Sequence, residues 1–140
     1  MSDPRGIRDN NPGNLRPGIT PWLGEIAPDG GYCRFIDPEH GIRALCKTLL
    51  AYQTKHGLNT IRGIITRWAP AADNNDTEAY IRTVSGDAGI AADNQLDLND
   101  ASVLSSLAMA IIQHENGVQP YSALVIERAA SQAVNDKLEW

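Results

Sequence analysis

The 140-residue sequence lacks several features that place proteins in common classes. No apolar run approaches the ~20 residues that are needed to cross a bilayer, so we expect no membrane insertion. The first residues, Met1–Arg5, are not followed by a hydrophobic segment, so we predict no secretory signal peptide. If the substrate lies outside the cytoplasm, another route must deliver the protein to it.

The sequence also has little positive charge. It contains 12 Lys and Arg residues against 17 Asp and Glu residues, which gives a formal net charge of −5. No Lys/Arg cluster forms the basic stripe that nucleic-acid-binding proteins carry, so we predict that nucleic acid is not a partner. This acidity is compatible with a neutral glycan, which needs no steering by charge.

Cysteines and metal-binding motifs are sparse. Cys33 and Cys46 are too few for a disulfide framework, and the spacing of Cys46 predicts a buried core side chain. The histidines lie far apart and no C-x-x-C or H-x-x-x-H pair occurs, so we predict neither a metal site nor a cofactor. A nucleophilic pair of Cys33 with His40 or His114 remains an alternative without a supporting local motif.

The composition divides one predicted domain, residues 1–140, into two parts. Residues 1–38 are rich in Gly, Pro, Asn and Asp, which predicts loops and a small irregular β region with its clearest strand at 32–36. Residues 39–133 follow the three- and four-residue apolar spacing of helices. We therefore predict a mainly α fold of the α+β type, with a compact helical body and a small β/loop region near the N-terminus.

Caps and helix breakers set the expected helix boundaries. The predicted helices run from Asp37 to Gly57, from Asn59 or Thr60 to Ala69, from near Thr77 to Gly86 or Gly89, from Asn99 or Asp100 to Gly117, and from about Pro120 to Ala133. The acidic stretches 73–76 and 93–99 resemble calcium loops. They lack the glycine and glutamate of an EF-hand, so we interpret them as helix-capping loops.

Glu115 is the residue whose position is most informative about chemistry. It follows Ile111 by four residues and Leu107 by eight, so it shares the buried face of its helix. In the last turn the helix dipole opposes a negative charge. This effect and partial burial favour the protonated carboxyl that a general acid needs. The alternative is a Glu at the rim of the apolar stripe that reaches solvent or pairs with an arginine.

The segment R-G-I-R-D-N-N-P-G-N-L-R at residues 5–16 contains the next candidates. Asn side chains tolerate left-handed turns and their amides bind sugar hydroxyl and acetamido groups, so Asn11 and Asn14 are candidate substrate-binding residues. Trp22 lies in a Pro/Gly-rich loop and is a candidate for stacking on a sugar ring, whereas Trp68 has the spacing of a core residue. The alternative for the segment is a surface turn whose arginines form ordinary ion pairs.

The segment 5–16 closely resembles the opening R-G-I-R-N-N-N-P-G-N-I-R of a family of phage and prophage proteins. Members of this family are described as virion structural proteins or peptidoglycan hydrolases. The resemblance covers about residues 5–122 and includes D-P-E-H-G-I-R-A at 37–44 and A-I-I-Q-H-E-N-G at 110–117. It departs from the family at Asp9, where Asn is more usual, and at Pro17, where a Tyr-like residue is common. The resemblance implies a virion-associated protein that acts on peptidoglycan.

The same motifs resemble, in rotated order, those of flagellar-type glucosaminidases and related lysozyme-like enzymes. In those enzymes a helix ends in a catalytic Glu followed shortly by Gly, and then come a segment of the type N-N-x-F-G-I-K, a small β region and a helix. The resemblance implies a circularly permuted lysozyme-like fold. It also implies that Glu115 is the catalytic acid, with Asn11, Asn14 and Tyr80 orienting the sugar and Trp22 stacking on it.

The expected function is cleavage of the glycan strands of bacterial peptidoglycan. A hydrolase normally uses a second carboxylate, for which Glu25 and Glu39 are the available residues. Glu39, at a helix start, is more simply a residue that stabilises the helix dipole. The absence of a clear partner favours a lytic transglycosylase, in which one Glu acts first as acid and then as base.

Two other functions remain open on the sequence. One is a non-catalytic virion structural or wall-binding module that kept the fold and lost the activity. The other is an interbacterial toxin of muramidase type, with a cognate immunity protein. In each case the expected partner is peptidoglycan, and for a phage protein also other virion or tail proteins. The protein would reside in the phage virion or the bacterial cytoplasm before delivery and act in the periplasm.

Overall fold

The computed structural model describes residues 3–140, over which the chain forms six α-helices and one two-stranded sheet. The elements are α1 (Arg5–Arg8), β1 (Glu25–Asp29), β2 (Tyr32–Phe35), α2 (Pro38–His56), α3 (Ile61–Trp68), a 3-10 turn (Ala71–Asp73), α4 (Thr77–Ala88), α5 (Ala101–Asn116) and α6 (Ala123–Asn135). The predicted mainly α fold with a small β region near the N-terminus is therefore confirmed. In the part of the chain that the structure describes, no helix combines the length and apolarity needed to cross a bilayer.

The helical body consists of α2–α6, which pack around one continuous apolar core. Helix α2 packs along α6, and α5 packs against both α4 and α6. Fully buried side chains at three- and four-residue spacing line the core faces, among them Ile42, Leu45, Leu49, Leu107 and Ile111. Burial of each such side chain contributes about 1.5–3 kcal/mol to folding. Cys46 is also fully buried, as its spacing predicts.

Side-chain caps fix the starts of the long helices, because each accepts a hydrogen bond from an otherwise unpaired backbone N–H. The predicted cap at Asp37 is confirmed, since its side chain accepts from the backbone N–H of His40. Of the predicted alternatives, Thr60 caps α3 and Asp100 caps α5. Asp76 caps α4, which confirms the capping role assigned to the first acidic loop.

Three boundaries differ from the prediction. Gly86 lies inside α4, which continues to Ala88 and ends where Gly89 adopts the left-handed conformation. Helix α6 begins after Ser122 instead of near Pro120, because the Ser122 hydroxyl accepts the hydrogen bond from the N–H of Val125. Residues 5–8, predicted as loop, form the single turn of α1.

The N-terminal region, residues 3–37, is built around the antiparallel pair β1 and β2. The pairing is interrupted between Ile26 and Asp29, so the expected irregular hairpin is confirmed. Its buried face is a small apolar cluster of Cys33 and Phe35 with Ala44 of α2. The backbone N–H of Phe35 donates to the carbonyl oxygen of Asp9 at 3.0 Å, which fixes the segment before the hairpin against β2.

The N-terminal region meets the helical body at two glycines. A Cβ atom added at Gly41 of α2 would lie 1.7 Å from the carbonyl oxygen of Asn10. A Cβ atom added at Gly6 would lie 2.5 Å from the Oδ1 atom of Asn116, at the end of α5. Both distances are shorter than any real Cβ contact, so glycine at position 41 lets the two backbones approach and glycine at position 6 leaves room for the Asn116 side chain. The close approach brings the N-terminal segment to the end of α5.

Candidate active site

Glu115 lies half-buried in the last turn of α5, before the left-handed Gly117 that ends the helix. The Tyr80 hydroxyl donates a hydrogen bond to its Oε2 atom at 2.8 Å, and the Asn14 amide donates to its Oε1 atom at 3.2 Å. None of the ion pairs among residues 3–140 involves Glu115. The alternative that this carboxylate pairs with an arginine is therefore wrong, since both of its oxygens are held by neutral donors.

Tyr80 is held in place by two aromatic neighbours. The Trp68 indole N–H donates to the Tyr80 hydroxyl at 3.1 Å, and the Tyr80 ring stacks on His114 with centroids 3.7 Å apart. Burial and then the adjacent Glu115 carboxylate raise the pKa of the Tyr80 hydroxyl far above its ordinary value. The hydroxyl therefore keeps its proton at physiological pH and remains a donor to Glu115.

Asn14 reaches Glu115 because its backbone adopts a left-handed turn conformation. Its φ of 51° is in the left-handed region, as the Asn-rich segment predicts, and its N–H donates to the carbonyl oxygen of Asn11 at 2.9 Å. Asn116 fixes the same turn from the other side, because its amide donates to the carbonyl oxygen of Pro12 at 2.8 Å. The helix end that carries Glu115 is thus bonded directly to the turn that carries Asn14.

Asn11 does not face a ligand, which corrects its predicted role in substrate binding. Its side chain is only 1% exposed. Its amide donates to the carbonyl oxygens of Leu15 and Cys33, each at 3.0 Å, and its Oδ1 atom accepts from the Leu15 N–H. All of its hydrogen-bonding atoms are therefore used within the protein. The side chain shapes the turn before Asn14 and joins it to β2.

Two cavities adjoin at Glu115 and together form a groove. Both are lined by Asn14, Arg16 and Glu115, so these residues mark its middle. The cavity on one side has a volume of about 360 Å³ and includes Arg5 and Tyr32; we call it the arginine side. The other, of about 380 Å³, is the tryptophan side, and its further lining residues are Gly13, Leu15, Thr48, Tyr52, Trp68, Ala69 and Asn75. The carboxyl group of Glu115 therefore lies between the two sides of the groove.

Trp22, predicted to stack on a sugar, lines neither cavity. It packs against the Cys33 cluster of the N-terminal region, and its backbone N–H donates to Glu25 at 2.9 Å. Trp68 occupies the groove instead, although its spacing predicts a core residue. It does both, because its indole N–H faces Tyr80 while part of the ring lines the tryptophan side. Helical spacing alone does not distinguish these two positions of a tryptophan.

The two acidic residues considered as a second carboxylate lie elsewhere. Glu25 accepts the Trp22 N–H in the N-terminal region, and Glu39 pairs with Arg128 of α6 at 2.8 Å. Among residues 3–140, Glu115 is the only carboxylate that lines either side of the groove. Within the same range, no three His, Cys, Asp or Glu side chains come together to hold a metal ion.

The two cysteines are unsuited to nucleophilic chemistry. Burial raises the pKa of the Cys46 thiol to about 12, and burial together with the nearby Glu25 carboxylate raises that of Cys33 to about 12. A nucleophilic cysteine must be a thiolate near neutral pH. The geometry therefore gives no support to the alternative of a Cys33 nucleophile.

The comparison with known proteins assigns the chain to a class of bacteriophage proteins. No family model matches the chain. Over 123 residues it is 42% identical to Protein P5 of Pseudoalteromonas phage PM2, and the match covers 84% of this chain and 74% of that protein. The chain belongs to the family of this Protein P5.

Proposed function

We propose that this protein cleaves the glycan strands of bacterial peptidoglycan, with Glu115 as the general acid. The observation that carries the proposal is the position of this carboxyl group. It lies at the middle of the groove, with one oxygen held by Tyr80 and the other by Asn14. A positioned carboxyl group beside the bond to be broken is the central requirement of glycoside cleavage.

The two hydrogen bonds suggest which oxygen carries the proton. Tyr80 holds Oε2 at 2.8 Å and is fixed by Trp68, whereas the Asn14 amide meets Oε1 at the longer distance of 3.2 Å. Oε1 is therefore the freer atom, and a proton on Oε1 can be donated to a glycosidic oxygen in the groove.

Among the described residues Glu115 is the only carboxylate that lines the groove, which favours a lytic transglycosylase over a hydrolase. Glu115 first donates its proton to the glycosidic oxygen as the bond to the anomeric carbon breaks. The resulting carboxylate then takes the proton from the 6-hydroxyl of the same sugar. That oxygen attacks the anomeric carbon and closes a 1,6-anhydro ring, so the second step regenerates protonated Glu115 and consumes no water.

The path of the chain supports a circularly permuted lysozyme-like arrangement. The turn at Asn14 and the helix end at Glu115 are 101 residues apart in sequence and in direct hydrogen-bond contact. The groove thus joins the I-I-Q-H-E-N-G helix to the N-N-P-G-N-L-R segment, the two motifs that are adjacent in the unpermuted order. As a member of a phage protein family, the protein would be delivered with the virion and act on the wall in the periplasm.

The test compares the products that three forms of the protein release from purified Gram-negative sacculi. Mass spectrometry of the soluble fraction identifies anhydro-muropeptides or reducing ends. We expect anhydro products from the wild type and from Glu127→Gln, a matched control on the exposed face of α6. We expect Glu115→Gln to be slower by about 10²–10⁴-fold, because it removes the acid.

Circular dichroism confirms that each variant is folded before the products are compared. Equal release by Glu115→Gln and the wild type would refute the assignment of the acid. Reducing-end products would refute the transglycosylase step and retain Glu115 as the acid of a hydrolase. If the folded wild type sediments with sacculi but releases no product, the non-catalytic wall-binding module is the correct alternative.

A further inference from the structure

The arginine side of the groove contains two cations around one aromatic ring. The guanidinium carbons of Arg5 and Arg16 lie over the Tyr32 ring, 4.4 and 4.5 Å from its centroid. Arg16 also donates a hydrogen bond to the Tyr32 hydroxyl at 3.1 Å. All three side chains line the cavity that reaches Glu115. We call them the Arg5–Tyr32–Arg16 cluster.

Neither arginine of the cluster has an acidic partner among residues 3–140. Other arginines of the chain do pair with carboxylates, for example Arg62 with Glu78 and Arg128 with Glu39. Arg5 and Arg16 differ from the other unpaired arginines in that both lie over one aromatic ring and line one cavity, in a chain in which acidic residues outnumber basic ones, 17 to 12. Two unneutralised guanidinium groups in a groove of an acidic protein are an arrangement suited to an anion.

The cluster is also preorganised. Stacking on the Tyr32 ring limits the motion of two long side chains, so less conformational entropy is lost when they bind a ligand. Each guanidinium has five N–H donors, and only one Arg16 donor is used by the Tyr32 hydroxyl. The remaining donors can form the paired hydrogen bonds that carboxylates accept from arginine.

We propose that the Arg5–Tyr32–Arg16 cluster binds a carboxylate of the glycan substrate, on one side of the bond that Glu115 cleaves. This inference rests on the proposed function. Peptidoglycan offers two sources of that group. One is the carboxylates of the peptide stem, and the other is the lactyl carboxyl of muramic acid, which is free only where the stem that is amide-linked to it has been removed. Apart from the shared Arg16, the described residues that line the tryptophan side include aromatic rings and amides and no cation. The strand is then bound in one direction, with an acidic substituent at the arginines and a neutral saccharide at Trp68.

The test measures binding instead of turnover, with the full chain carrying Glu115→Gln so that the ligand stays intact. Sedimentation gives the affinity for two insoluble ligands, intact sacculi and chitin, which has no carboxylate. Competition by soluble glycan strands that an amidase has freed of peptides gives the affinity for a third. We expect the double variant Arg5→Gln, Arg16→Gln to bind intact sacculi about tenfold more weakly at low salt, because charge-assisted hydrogen bonds are lost. Its affinity for chitin should not change.

The matched control is Arg82→Gln, which removes an exposed arginine of α4 that lines neither side of the groove. It should bind all three ligands as the parent does. A loss confined to intact sacculi assigns the peptide stem as the ligand. A loss confined to the peptide-free strands assigns the freed lactyl carboxylate, and a loss on both shows that the cluster binds either carboxylate.

Equal losses on sacculi and chitin, or no loss on any ligand, would overturn the proposed subsite. The absence of any binding of the parent to sacculi would overturn it together with the proposed function. If the wild type binds sacculi and depends on the two arginines but releases no product, catalysis fails and the carboxylate subsite stands. The binding and product assays therefore separate the two proposals.

Discussion

In the helical body, apolar side chains from α2 to α6 form one continuous core, whereas the N-terminal region buries only a small cluster around Cys33 and Phe35. The N-terminal region depends instead on amide side chains that bond the backbone. Asn10 donates to the carbonyl oxygen of Phe35 at 3.0 Å, and Asn11 joins the turn to β2. The two regions thus hold their shapes by different interactions.

Because of this difference, the two walls of the groove are held in place by different forces. Apolar burial is large and non-directional, so it stabilises the helices and fixes the position of Glu115. Hydrogen bonds of side-chain amides contribute less free energy but depend on geometry, so they set the place of Asn14 and Arg16 in the opposite wall. Substitutions in the body should therefore act on global stability, and those in the N-terminal region on local structure.

The largest expected effect is on the body. Ile111→Ala removes a fully buried side chain one turn before Glu115, so we expect a loss of about 2–5 kcal/mol in the free energy of unfolding. Urea denaturation followed by circular dichroism measures it. Leu124→Ala on α6, where the side chain is 60% exposed, is the control and should change little. Similar losses for the two variants would contradict the assignment of Ile111 to the stabilising core.

An intermediate effect is expected for Asn11→Ala. It breaks hydrogen bonds to Leu15 and Cys33, at a cost of about 1–3 kcal/mol. Hydrogen exchange should speed up at the amides of the N-terminal region and stay unchanged in α2–α6. Asn94→Ala, at an exposed loop position, is the matched control. Faster exchange throughout the helices would show that the two regions are not held independently.

The smallest expected effect is a gain in stability from Asp9→Asn. Asp9 is 5% exposed, and its Oδ2 atom has no hydrogen-bond partner among the described residues. Burial, and then the neighbouring Asp29 carboxyl, raise the pKa of Asp9 above its ordinary value. The ionised side chain therefore opposes folding near neutral pH, and the amide should add about 1 kcal/mol to the free energy of unfolding.

The pH dependence of this gain follows from linkage. Because the pKa of Asp9 is higher in the folded state, the wild type is favoured at low pH and loses stability as the pH rises through that value. The amide does not titrate, so the advantage of Asp9→Asn should grow from about pH 4 to neutral pH. Urea denaturation across this range measures it, with Asp87→Asn, at an exposed position, as control. A gain independent of pH would show that the carboxylate charge is not its cause.

The helical body is largely predictable from the sequence because its signals are local. The cap at Asp37 lies within four residues of the N–H group that it binds, and the apolar spacing of α5 places Glu115 on the buried face without reference to other elements. The N-terminal region is less predictable. From the sequence, Asn11 has the features of a ligand-binding amide. Its hydrogen bond to the carbonyl oxygen of Cys33, 22 residues away, cannot be predicted from local signals.

The candidate site is predictable only in part, for the same reason. The sequence predicts roles for Glu115, Asn14 and Tyr80. The structure brings the three side chains into contact, but no local feature of the sequence shows that they meet. The two tryptophans exchange their expected positions. Trp22 lies in a Pro/Gly-rich loop, yet it packs on an apolar cluster. Trp68 has the spacing of a core residue, yet part of its ring lines the groove.

The contact between Asn14 and Glu115 has a consequence for synthesis. A ribosome makes one wall of the groove first and adds the carboxylate 101 residues later. A nascent or truncated chain therefore carries the N-terminal wall without the acid. On the proposed function, such a fragment is inert toward the cell wall, and the chain can become active only after α5 has been completed and has folded against the first turn.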